Sequence, residues 1–371
     1  LLKRVDGPYI DGLDELVINE LKSRPAKEVR FGNVGAHRYL TLDEIDRVAK
    51  EVPKVAVDQS LVDARLARMR PDEDTDPSQQ LDVRIDYLKR VEKYARSLPP
   101  SYNSLKAAAT FRLLEANLAI GQFDRDLFER YLKLPRVSPI VHPQWVRRLP
   151  NHAQLGKDFM KTALLPPIGD EQPLVRAYLE HFLKDAENDD AFREVLQPDY
   201  LRRVFAETKL LAGVGDADQW YRMLSASERQ AIRDSIQLRL AAQNRIRFNS
   251  DEPTELLVDV KNIEDLVVRI YEINTLSYYR THDKAIDTDI DLDGLVATHE
   301  KTLTYHQSAV QRHRETLRLD EISGRGVWIV DLVGKGLRAR ALVRRGALHH
   351  VDSESADGMV FTIVNENREA V

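Results

Sequence analysis

Cysteine is absent from all 371 residues, which removes disulfides, thiolate metal sites and a cysteine nucleophile together. No run approaches the ~20 apolar residues that a membrane-spanning helix needs, so no membrane span is expected in this stretch. Residues 1–12 do not read as a signal peptide. With no initial methionine and a strand-like Met359–Val364 near its end, the chain is expected to be a piece of a longer polypeptide, with any targeting signal outside it. Neither sign of charge dominates. The 55 Lys and Arg against 60 Asp and Glu leave a net charge of −5, which argues against a general nucleic-acid binder and implies no acidic substrate. Familiar catalytic signatures are missing too. His299-Glu300-Lys301-Thr302-Leu303 stops one histidine short of a zinc-peptidase motif, and Gly324-Arg325-Gly326 is followed by Ile329 where a dinucleotide loop needs its third glycine.

What is present is an ordinary globular composition, 43% hydrophobic and 31% charged, long enough for two or three domains at about 150 residues each. Residues 1–135 carry helical periodicity. Leu13, Leu16, Val17 and Leu21 share a face, and Thr41 with Glu44 forms a capping-box pattern. An amphipathic piece over 58–69 and an acidic stretch from Asp72 to Asp74 flanked by Pro71 and Pro77 precede a helix over 81–98 with Val83, Tyr87, Leu88, Val91 and Ala95 on one stripe, an Ala- and Leu-rich helix over 104–120 and a short one over 126–134. Prolines 135, 139, 143, 150, 166 and 167 forbid long helices, so 136–169 is expected to be an extended connection. It opens a second region, 136–245, whose helices cover 174–183, 198–211 and 225–240, the last begun by a Ser225 and Glu228 capping box.

After the gap at 245–252 the period changes to that of strands. Val327–Val333 and Leu337–Arg345, separated by Gly334-Lys335-Gly336, form a hairpin. Trp328, Val330 and Leu332 face one side and Val327, Ile329, Asp331 and Val333 the other. Arg338, Arg340, Leu342 and Arg344 share a wet face, while Arg345 and Lys335 extend a basic patch that reads as the solvated side of an outer strand. This order of strands, with Leu317-Arg318-Leu319 before it and Glu252–Ile273 further upstream, resembles the macroglobulin domains of bacterial α2-macroglobulin-like proteins. The resemblance implies an α+β chain with segregated parts: an N-terminal all-α helical array, then an antiparallel macroglobulin- or immunoglobulin-like β-sandwich over 246–351 with a long insertion at 274–311. Residues 352–371 would start a following β-domain.

Asp289-Ile290-Asp291-Leu292-Asp293-Gly294 and Glu300 match every specified position of a calcium loop. Asp289, Asp291, Asp293, the Leu295 carbonyl and Glu300 would supply oxygens to a cation that takes six to eight of them. The same alternation describes a half-buried strand with its acids wet and Ile290 and Leu292 inside. Both readings stay open. Trp145, Trp220 and Trp328 read as core anchors, as do Tyr271, Tyr278 and Tyr279. His349 and His350 are neighbours on a strand, so they point to opposite faces and share no metal.

Two functions follow as expectations. The resemblance implies a non-catalytic scaffold of the periplasm, cell envelope or exterior, engaging a protein partner or protease and adjoining domains of its own polypeptide. The family's thioester needs a cysteine that this stretch lacks. The alternative is a hydrolase with His142, His152 and Asp158 forming a site in the proline-rich connection.

Overall fold

A computed structural model describes residues 2, 7, 10–25, 27–71, 80–355 and 358–371. The acidic stretch at Asp72 to Asp74, with Pro77, lies outside the described residues. The chain divides into two compact units, Leu1–Phe182 with Asn188–Arg202, and Leu183–Glu187 with Arg203–Val371.

Helices α1 (Leu13–Ser23), α2 (Leu42–Glu51), α3 (Gln59–Arg68), α4 (Leu81–Ser97), α5 (Asn103–Ala119), α6 (Arg125–Lys133), α7 (Pro143–Arg148), α8 (Met160–Ala163) and α9 (Gln172–Leu183) build the first unit. Its N-terminal core gathers Leu13, Val17 and Leu21 of α1 with Ile45 and Val48 of α2 and Leu61 of α3. The Thr41 hydroxyl accepts from the Glu44 amide while Glu44 accepts from the Thr41 amide, so the capping box starts α2 as its sequence requires. His37 is buried in this core, stacked on Phe31 at 4.8 Å, with Nδ1 accepting from the Gly32 amide at 2.8 Å. Burial lowers its pKa below the ordinary 6.5, outweighing the opposing charge of Glu20, while Arg24 lowers it further. Below pH 6.5 the unfolded chain therefore takes up a proton that the folded chain refuses, and stability falls as the pH drops through that window. His37→Gln is expected to flatten this acid-side loss, read as thermal midpoint against pH between about 5 and 7.

The proline-rich segment is not a spacer. Arg136 bridges Ala153, Val141 bridges Leu196 and Phe159 bridges Leu165, while Ile140, Val141, Leu165 and Ile168 are buried in the helical unit. Prolines forbid long helices without forbidding burial, because extended backbone can satisfy its hydrogen bonds in isolated bridges. At its start Arg136 is fully buried. Its Nε donates to Glu171 at 2.7 Å, Nη1 donates to the carbonyls of Tyr131, Leu132 and Leu134 that end α6, and Tyr131 donates to the same Glu171 carboxylate at 2.5 Å.

α10 (Pro198–Ala212), α11 (Ala217–Arg222) and α12 (Ala226–Asp234) come next, α12 starting from the expected Ser225 and Glu228 capping box. The helix expected to run to Leu240 ends at Asp234. Gln237–Leu240 is instead strand β1, paired antiparallel with β3 (Glu255–Lys261), so tertiary pairing overrides local helical spacing. Lys261 ties this junction: its buried ammonium donates to the Ile232 and Ser235 carbonyls, both at 2.6 Å.

The strands β2 (Arg247–Phe248), β4 (Asp265–Glu272), β5 (His299–Thr304), β6 (Arg312–Arg318), β7 (Gly326–Gly334) and β8 (Leu337–Arg345) complete a sandwich. One sheet has the order β1-β3-β6, the other β2-β8-β7-β4-β5. The arrangement is mixed rather than purely antiparallel, because β2 runs parallel to β8. Between the sheets lie Leu256, Val258, Leu266, Val268, Trp328, Val330, Leu332 and Val343, so Trp328 centres the core as expected. In the β7–β8 turn the left-handed residues are Lys335 (φ 48°) and Gly336 (φ 80°), as a type I′ reversal needs.

The expected insertion is shorter, since β5 within it pairs with β4 as an edge strand. Residues 274–298, including α13 (Thr275–His282), fold back over the outside of the larger sheet. Ile286, Ile290 and Leu292 pack there on Tyr271, Val327, Ile329 and Leu342. The basic face of β8 is consequently covered at Arg340 and Arg344, while Arg338 and Lys335 stay exposed, and β2 flanks β8 so that it is not an outer strand. Arg340 meets buried Asp331 at 3.0 Å and donates to the Ile290 carbonyl at 2.8 Å; Arg344 donates to the Ile286 carbonyl at 2.9 Å. Arg345 reaches the Ser250 and Ile322 carbonyls on the other side. Arg340→Met should release the covering segment at a cost of about 2–3 kcal/mol, seen as faster amide exchange over residues 286–292. Unchanged exchange there would show that apolar packing alone holds it.

Beyond the sandwich, β9 (Leu348–Ser355) and β10 (Gly358–Asn365) form a separate antiparallel pair. Glu366 fastens it to the sandwich, accepting from the Ser250 amide and hydroxyl and pairing with Arg325 at 2.7 Å. Those bonds hold the Glu366 carboxyl well below the usual carboxylate range.

Candidate functional site

Acids of the expected calcium loop are spread apart. Asp289 pairs with Lys284 at 3.8 Å; Asp291 accepts from the Asp293 amide at 2.9 Å and so caps the turn at Gly294; Leu295 is exposed. Glu300 lies on β5, paired across the sheet with Arg269 at 2.6 Å. Ile290 and Leu292 point into the satellite core, in irregular backbone rather than a strand. No group of three His, Asp or Glu side chains among the described residues is arranged to hold a metal. Calorimetric titration with calcium, on the order of millimolar, is expected to release no heat above buffer. A saturable heat lost in Glu300→Gln would instead support the loop.

The residues of the hydrolase alternative are each engaged by nearby backbone. His142 caps α7 by accepting from the Gln144 amide, His152 meets the Val146 carbonyl at 2.9 Å, and Asp158 accepts from the Met160 amide at 2.8 Å. None is bonded to another. His350 faces Asp352 at 3.5 Å while His349 lies opposite Val364, so the two histidines diverge as expected. Tyr279, read as core, is exposed, and Trp145 is only half-buried; Trp220 is buried and donates to the Val214 carbonyl.

A surface that those readings passed over stands on the helical unit. The buried side of α4 carries Ile85, Leu88, Val91 and Ala95, which leaves Lys89, Arg90, Lys93 and Arg96 exposed over its last turns. Beside them a groove of about 360 Å³ is lined by Leu42, Met69 and Tyr94 together with Arg65, Arg90 and Lys93. Arg65 lies 4.0 Å over the Tyr94 ring and is neutralised by Asp46 through two bonds of 2.5 and 2.9 Å. Burial pushes the Tyr94 phenol up to about 12, so it stays neutral. The signal was legible as Lys89-Arg90, Lys93, Arg96 at helical spacing, but exposed charge on a helix is common enough to pass unnoticed.

Helical unit and sandwich define a chain in which an α-helical domain precedes an immunoglobulin-like one. The chain belongs to the family of the actin-binding protein F N-terminal domain, whose model matches residues 1–236. The model of the AbpF first immunoglobulin-like domain matches residues 266–346. Actin-binding protein F of Dictyostelium discoideum is 24% identical over 342 residues, which cover 91% of this chain and 14% of that protein. The chain thus spans about 14% of the length of the curated relative it matches.

These matches correct the α2-macroglobulin resemblance, and with it the protease-trapping scaffold and the periplasmic, envelope or secreted setting; the hydrolase alternative finds no support either. The physical reason is plain. Leu317-Arg318-Leu319, Trp328 and the glycine turn report strands that turn an apolar face to a sandwich core, and any immunoglobulin-type sandwich has that pattern. No helix among the described residues is long and apolar enough to cross a membrane.

Proposed function

We propose that this chain is the actin-contacting N-terminal part of a non-enzymatic cytoskeletal protein, working in the cytoplasm with actin as its protein partner. The observation that carries this reading is the match of residues 1–236 to the actin-binding protein F N-terminal domain. The packed helical core and the cationic face of α4 support it, since a filament is engaged by a preformed surface rather than a reaction centre. The sandwich then serves as the first immunoglobulin-like spacer. The same reading takes the β9–β10 pair, with Met359, Phe361 and Ile363 exposed, as the opening of a further β-domain. Co-sedimentation tests the function: the full chain should pellet with filamentous actin and stay in the supernatant without it. A chain that stays soluble at saturating filament concentrations sinks the proposal.

A further inference from the structure

Many cations of the helical unit are already matched. Arg47 meets Asp14, Arg65 meets Asp46, Arg112 meets Glu115 and Arg125 meets Glu129. Arg90 and Lys93 are the exception beside the groove: both are exposed, and neither has an ion-pair or hydrogen-bond partner among the described residues. The α4 dipole favours cations at this end of the helix, yet it requires no apolar cleft next to them. Here the cleft is present, with Met69, Leu42 and the Tyr94 ring in its lining. An unmatched guanidinium and ammonium beside an apolar lining suit one kind of occupant, a short segment with carboxylates around an apolar side chain. The guanidinium takes a carboxylate in a two-point bond, the ammonium adds a point charge, and the lining takes the apolar group. In a chain of net charge −5, such a local cationic patch also steers an acidic partner toward one face.

We infer that the groove between α3 and α4 is a docking site for an acidic segment of a protein partner that carries an apolar side chain. The inference rests on the actin reading for the identity of the partner and on the groove alone for its chemistry. The test uses the full chain with Arg90→Glu and Lys93→Glu combined, a Gln pair at the same positions, and Lys50→Glu with Lys54→Glu as a control of equal charge change outside the groove. Filament binding should weaken about tenfold or more in the Glu pair, less in the Gln pair and not in the control, and the salt dependence of binding should shrink with it. Filament binding by the Glu pair equal to that of the unmodified chain overturns the site. Should the unmodified chain not bind filaments, the functional proposal falls and the groove is judged by a fluorescein-labelled peptide of alternating Asp, Glu and Leu. Anisotropy that saturates with the unmodified chain and is lost in the Glu pair upholds the groove, and no binding of that peptide overturns it.

Discussion

Glu171→Leu destabilises the helical unit by about 3–5 kcal/mol, the cost of leaving a buried cation without its counter-charge. Arg136 is fully buried, and Glu171 nearly so, beneath α6 and the proline-rich segment. Without the carboxylate, the guanidinium keeps only the α6 carbonyls and the Tyr131 ring 4.5 Å away. Tyr131, whose pKa burial drives well above its ordinary value, loses its acceptor as well. The measurement is urea denaturation followed by helical circular dichroism, with the unit's transition moving to lower denaturant. A second variant separates charge from packing. Arg136→Met with Glu171→Leu removes both charges and should recover part of the loss, because an apolar pair of similar volume needs no partner. Recovery stays incomplete, since the carbonyls of Tyr131, Leu132 and Leu134 lose their donor. A loss under about 1 kcal/mol for Glu171→Leu alone would show that the pair is not what closes this segment.

Trp328→Ala removes about 3–5 kcal/mol from the immunoglobulin-like unit, the usual cost of truncating a large buried aromatic. The indole is 4% exposed between the two sheets, and its strand pairs on one side with Val343 and on the other with Glu272. The neighbouring backbone is shaped to it: a Cβ on Gly326 would stand 2.9 Å from the ring. Gly326→Ala is therefore also destabilising, by overpacking rather than by a cavity. Fluorescence of the tryptophans during denaturation reads the first change, and an unfolding midpoint equal to that of the unmodified chain would remove Trp328 from the centre of the core.

Local rules carried much of this fold. The Thr41 and Ser225 caps, the α4 stripe and the face assignment of β7 all depend on side chains within a few residues of each other, and each stands where its spacing put it. The failures share one cause. Arg340 and Arg344 alternate as a wet face should, yet a covering segment 50 and 58 residues upstream supplies carbonyls to them. Gln237–Leu240 continues a helical pattern, but β3 offers it a ladder. In the candidate groove the cations of α4 were visible as letters, whereas Leu42 and Met69 reach it from other parts of the chain.

By itself the sequence determined the order of a helical part before a tryptophan-centred sandwich, because apolar periodicity and capping act over one or two turns. Only the tertiary structure decided which charges are clamps and which are free for a partner. Burial and ion pairing depend on what the rest of the chain lays over a side chain, and that distance in sequence is unlimited.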